Sequence, residues 1–150
     1  MNRLLLELDG ILSSGHSANP SLAEVGTKPR TLQPSAHQRE YFVLVAVPGD
    51  LQKSIRNFIV PRSHVAAAAW IEHMNWLTDP HVPKGKRKAP VEQARVKVST
   101  FARYENRWDL FFVDEGEAPV LLPTEYRALA QEERVGLPPG HAWHSALPLW

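Results

Sequence analysis

The stretch from Tyr41 to Leu77 constrains the fold more than any other part of this chain. Tyr41-Phe42-Val43-Leu44-Val45-Ala46-Val47 is a nearly unbroken run of aromatic and aliphatic residues, rich in valine, which suits a strand buried on both faces. Pro48-Gly49-Asp50 closes it, and Phe58-Ile59-Val60 repeats the same residue types before Pro61 stops them. A connection of about ten residues suits antiparallel neighbours. A helix is expected from about Ser63, whose side-chain oxygen is placed to cap it, and the alanines from Ala66 to Ala69 favour helix strongly. Val65, Ala69, Trp70, His73, Met74 and Leu77 recur at helical spacing, giving one apolar stripe towards the sheet with Trp76 at its margin. Asp79-Pro80 ends the helix.

The remainder is arranged around that unit. A chain of 150 residues holds one domain with a real core. Thirteen prolines against eight glycines gather at the ends and between elements, so the packed part is expected to be smaller than the chain. Leu4 to Leu8 can form a short strand, and the Ser-, Gly- and Pro-rich residues from Ser13 to Pro34 read as a loop or partly ordered arm. Val91 to Thr100 alternates around Val96 and Val98, predicting a further strand with Arg95 and Lys97 on its polar face. Phe101, Tyr104, Trp108, Leu110, Phe111 and Phe112 form a second aromatic cluster expected to fold back onto the core. Thr124 to Arg134 can form a short helix with Tyr126, Leu129 and Ala130 on one side. From Leu137 onward no period is visible and a tail is expected. The predicted architecture is α+β: a mixed sheet of about four strands with one main helix packed on it, an arm over residues 1–40, a core over 41–113, and a short helix with a flexible, proline-rich tail over 114–150.

Composition excludes several chemistries. With no cysteine in the chain, disulfides, thiolate metal sites and a cysteine nucleophile are ruled out, and a reducing compartment is permitted. The apolar run at the start breaks at Glu7, which argues against a signal peptide or membrane span, so a soluble cytoplasmic protein is expected. A formal charge of +1 neither demands nor excludes nucleic acid. Serine-nucleophile motifs, a phosphate loop and a dinucleotide fingerprint are absent. His64 and His73 lie nine residues apart, on nearly opposite helix faces, and cannot share a metal. His73 is expected at the core edge, hydrogen-bonded to backbone.

Three groups of residues carry possible chemistry. Glu7 and Asp9 point to one side of a strand and could hold a metal together, or could simply be a solvent-facing pair. Lys84-Gly85-Lys86-Arg87-Lys88 is the only charge run. With Arg95, Lys97, Arg103 and Arg107 it could contact phosphates through sequence-independent attraction, or could be a solvated mobile loop. Glu24 and Lys28 could share a strand face. Arg107-Trp108-Asp109 reads as a structural corner, with the tryptophan buried and the arginine paired to a carboxylate.

The order Tyr41-Phe42-Val43-Leu44-Val45, Phe58-Ile59-Val60-Pro61, a helix carrying Trp70, His73 and Trp76-Leu77, a Lys/Arg loop and Tyr104-Glu105-Asn106-Arg107-Trp108-Asp109-Leu110 resembles the C-terminal half of small bacterial proteins of the restriction-endonuclease-like, PD-(D/E)XK nuclease superfamily. The resemblance runs from Tyr41 to Phe111. It implies an Asp on one strand and a Glu/Gln-x-Lys on the next, gathering Mg²⁺ at the scissile phosphate. The second motif would fall on Leu6-Glu7-Leu8-Asp9, with Glu7 at the acidic position and Asp9 in place of the lysine; the strand bearing the first Asp would precede Met1. The resemblance therefore implies a nuclease-like protein with an incomplete catalytic set and weak, non-specific DNA binding. If active, it would be a Mg²⁺-dependent DNA endonuclease with Glu7 and Asp9 as catalytic metal ligands. An interaction module docking a protein partner through a Trp-rich surface is the alternative.

Overall fold

The structure, a computed structural model, describes residue 32, residues 37–48 and residues 52–150. Two strands, β1 (Tyr41–Ala46) and β2 (Arg56–Pro61), pair antiparallel with Phe42 opposite Val60 and Leu44 opposite Phe58. Leu44, Ala46, Phe58, Ile59 and Val60 are buried, whereas Val43 and Val45 of β1 are only half-buried. β1 is therefore enclosed mainly on one face, whereas β2, with Phe58, Ile59 and Val60 all buried in succession, is enclosed on both.

β2 runs directly into α1 (Arg62–Leu77). Pro61 stands at the junction, where its missing N–H costs nothing because the first amides of a helix have no intrahelical partner. Ser63 does not cap the helix through its side chain. Instead the Ser63 amide donates to Glu115 Oε1, from a segment far along the chain. The first half of α1 is buried almost all round, from His64 through Ala69, rather than along one stripe. Four consecutive alanines make that possible, since small side chains let neighbouring segments approach on several sides.

A mixed sheet of about four strands is not formed: among the described residues the sheet has two strands. Val91 to Thr100 does not add one. Pro90 has no N–H, and the amides of Gln93, Ala94 and Thr100 bond to carbonyls three residues back, forming 3-10 turns at Val91–Gln93 and Val98–Tyr104. Those bonds use the donors a ladder would need. The outer side of β2 carries a single bridge between Phe58 and Glu105, with the Asn106 amide donating to Asn57 O at 2.9 Å. Asn106 takes a positive φ of 54° there, a conformation asparagine tolerates better than most residues. The expected strand at Leu4–Leu8 and most of the expected arm lie outside the described residues.

The end of the chain is not a free tail. Leu121, Leu122, Val135 and Leu137 join the core, and α2 (Glu125–Gln131) buries Tyr126 and Ala130. Trp150 donates from Nε1 to Pro123 O at 3.0 Å, and Trp70 from Nε1 to Val135 O at 2.8 Å. The core thus combines the hairpin, α1 and single anchoring side chains from the C-terminal third. No described helix is long and apolar enough to cross a membrane.

Candidate functional site

Glu7 and Asp9, and the Glu24/Lys28 pair, lie outside the described residues. Among those described, no group of three or more His, Asp or Glu side chains is placed to hold a metal ion. Nothing in the described part therefore offers Mg²⁺ a ligand set.

The basic segment does have a defined geometry. Three residues on one side of α1 hold it down. Glu72 Oε1 accepts hydrogen bonds from Thr100 Oγ1 and the Tyr126 hydroxyl. His73 Nε2 lies 3.0 Å from Ala89 O, the core-edge bond to backbone that its position predicts. Trp76 receives the Arg87 guanidinium over its ring at 5.0 Å, and Arg87 also donates to the Trp76 carbonyl and reaches Asp79 at 3.4 Å. Ala94 and Val96 are buried between these anchors.

Anchoring fixes which way the charges face. Lys84, Lys86, Lys88, Arg95 and Lys97 are all exposed, and none makes an ion pair with a described residue. Arg95 and Lys97 flank buried Val96, so the alternation read from the sequence is real although the strand is not. Arg87 is the exception within the run, already committed to Trp76 and Asp79. From Lys84 to Arg103 there are seven basic residues and one carboxylate, Glu92; from Glu105 to Glu133 there are eight carboxylates and two arginines. The near-neutral total conceals this division.

A second site lies at the other end of α1. A cavity of about 570 Å³ is lined by Ser63 and His64 of the helix, by Asp114, Glu115 and Glu117, and by His141 and Trp143 among others. Glu115 is only 6% exposed; its amide donates to Gln38 O at 2.8 Å, and its Oε1 accepts the Ser63 amide. Its Oε2, buried, has no hydrogen-bond partner among the described residues.

The two buried histidines that line this cavity, His64 and His141, are both hydrogen-bonded. His141 Nε2 lies 2.9 Å from Ser63 O and must donate to it, leaving Nδ1 to accept the Trp143 amide at 3.2 Å. His64 Nδ1 lies 2.8 Å from the Tyr104 hydroxyl, which also receives the Leu121 amide at 2.8 Å. The phenol oxygen can accept that amide and either donate its own proton to Nδ1 or accept a ring N–H from it, so the bond forms with either tautomer of His64. Burial, helped by His141 nearby, pushes the His64 pKa down to about 3. Burial likewise lowers that of His141. Burial raises the Tyr104 phenol. All three groups are therefore neutral near pH 7.

Ser63, His141 and Glu115 together suggest an acyl-transfer triad, but the bonding excludes it. Both nitrogens of His141 are taken by backbone groups, and Ser63 meets Glu115 and His141 through its amide and carbonyl rather than its hydroxyl. The three side chains therefore form no nucleophile–base pair. From the sequence His141 falls in the expected tail, Glu115 reads only as one of three acidic residues after Val113, and Trp143 does not stand out. No local signal marks Glu115 or His141, because each acts on a residue at least 52 positions away.

The second aromatic cluster divides. Phe101, Tyr104 and Leu110 are buried, while Trp108 is 46% and Phe112 82% exposed. Arg107 grips Asp109 in a fork at 2.8 and 2.7 Å, so the expected ion pair forms but the tryptophan between them is not buried. No family model matches the chain, and neither a curated protein nor a solved structure does.

Proposed function

We propose that this is a non-catalytic, cytoplasmic nucleic-acid-binding protein that engages phosphates through Lys84, Lys86, Lys88, Arg95 and Lys97. The supporting observation is that these five cations are exposed, lack ion-pair partners among the described residues, and sit on a segment held in place by Glu72, His73 and Trp76 of α1. A polyanion neutralises such a surface and releases its own counterions, an entropic gain that needs no particular base sequence. A fixed backbone reduces the ordering cost a floppy lysine loop would incur on binding. The resemblance of Tyr41 to Phe111 to a DNA-acting superfamily favours the same class of partner. Arg87 contributes by shaping the loop, not by contacting phosphate.

Fluorescence anisotropy with a labelled duplex, followed across a salt series, tests this reading. Binding is expected at low salt, with log affinity falling linearly with log salt. Replacing Lys84, Lys86 and Lys88 together by alanine should reduce the slope by about 2–3, roughly 0.9 for each phosphate that is no longer neutralised. No binding at low salt, or an unchanged slope in the triple variant, would overturn it.

A further inference from the structure

We infer that the basic segment takes single-stranded nucleic acid and that Trp76 is the surface on which one of its unpaired bases stacks, an assignment that rests on the phosphate-binding reading and deepens it. Trp76 lies in the last turn of α1 and is 42% exposed. A single exposed aromatic ring needs no explanation by itself. This one is set apart by what holds it and by the charges around it.

The ring is fixed on the element that carries the segment. Arg87 lies over it, with the guanidinium 5.0 Å from the ring centroid, and donates to the Trp76 carbonyl. The His73 ring, 5.7 Å away and tilted by 48°, is in turn tied to Ala89 O. These contacts restrict the indole before any ligand arrives, so little side-chain freedom is left to lose when a flat group covers its open part. Arg87 is itself only half-buried, and a planar guanidinium, like an indole, is a surface on which a nucleobase stacks.

Charge complementarity names the ligand. Lys86 and Lys88 are the immediate neighbours of Arg87 and both are exposed, so cations leave the backbone on either side of the residue that touches the indole. Exposed cations interleaved with an aromatic ring suit a single strand, whose phosphates follow the lysines while a base takes the ring. A duplex engages the lysines alone, because its bases are stacked on one another and present only their edges in the grooves. Asp79, the carboxylate beside this pair, is already answered by Arg87 at 3.4 Å and by the His81 amide at 2.9 Å, so it does not repel the strand unopposed. Stacking is indifferent to sequence, since every base has a flat face.

Fluorescence anisotropy at low salt with labelled strands of about ten nucleotides tests the inference. The probes are an oligothymidine, an oligouridine, a duplex of the same length and an abasic strand that keeps every sugar and phosphate but carries no base. A base-bearing strand is expected to bind at least about fivefold more tightly than the abasic one, and more tightly than the duplex; the tighter of the deoxyribose and ribose strands assigns the source to DNA or to RNA. Trp76→Leu should remove the advantage over the abasic strand, and Trp76→Phe, which keeps a ring, should retain part of it. If Trp76→Leu does not fold by circular dichroism, the abasic comparison on the wild-type chain still decides the matter. Equal binding of abasic and base-bearing strands, or a duplex bound as tightly as either single strand, would overturn the inference and leave the phosphate-binding reading standing. So would a preference for bases that survives undiminished in a folded Trp76→Leu variant. No binding of any probe, the duplex and the abasic strand included, would overturn both.

Discussion

The two ends of α1 treat charge and polarity in opposite ways. At the N-terminal end Glu115, His64 and His141 are buried, and both ring nitrogens of His141, Nδ1 of His64 and one carboxylate oxygen are tied to backbone or phenol groups. Along the C-terminal half the lysines of the Lys84–Lys88 run face solvent without ion-pair partners among the described residues. The difference teaches what each set is for. A buried polar group must find its partner wherever the chain can supply one, and here that requirement ties α1 to segments 52 and 78 residues distant. Exposed cations meet no such demand, so the fold leaves them available to a ligand.

Acid should break the buried end first and produce the largest effect. His64 has a native pKa near 3 against an ordinary 6.5, so below about pH 6.5 the unfolded chain takes up a proton that the native state refuses. Stability is then complete above that pH and declines as pH falls towards 3, by about 1.4 kcal/mol per pH unit. Urea unfolding at successive pH values should show a loss of about 3 kcal/mol by about pH 4. His141, also lowered by burial, adds in the same direction. In His64→Gln the slope should fall to the share of His141. An unchanged slope would show that the buried ring is not its source.

The same contrast explains what could be read from the sequence. β1, β2 and α1 were legible because local runs and helical spacing specify them. Thr124–Arg134 was legible for the same reason, and α2 buries Tyr126 and Ala130 as expected. At Val91–Thr100 the pattern correctly predicted which side chains face inward, but a strand also requires a partner edge. Local turns after Pro90 removed the amides that would have met one. The residues after Leu137 showed no period because they pack through single anchors, His141, Trp143 and Trp150, rather than through a face. The lysine run announced itself by composition, whereas Glu115 could not, since its role as the cap of a distant helix has no local signature.

Tyr104→Phe probes the buried end without changing a charge. Its hydroxyl receives the Leu121 amide and bonds His64 Nδ1 inside the core. Removing one oxygen strands two polar groups, and a loss of about 2 kcal/mol is expected by urea denaturation. A loss below about 0.5 kcal/mol would mean that water reaches these groups, and the division between a sealed end and an open end would fail.

Smallest in stability, and most telling for the open end, is the comparison of neighbours within one pentapeptide. Arg87 lies over Trp76 and bonds its carbonyl, so Arg87→Ala should cost about 1 kcal/mol. Lys84, Lys86 and Lys88, one to three residues away, have no such ties among the described residues. Replacing all three by alanine should leave the urea midpoint where it is, or raise it slightly, because removing like charges relieves repulsion. If instead the triple variant lost as much stability as Arg87→Ala, these lysines would be part of the fold, and their exposure would no longer mark a surface kept for phosphate. If neither substitution moved the midpoint, Arg87 would be as free as its neighbours and the loop would lack the anchor that presents them. Only a cost at Arg87 together with none at the lysines fits a segment fixed at one point so that its remaining charges can be used elsewhere.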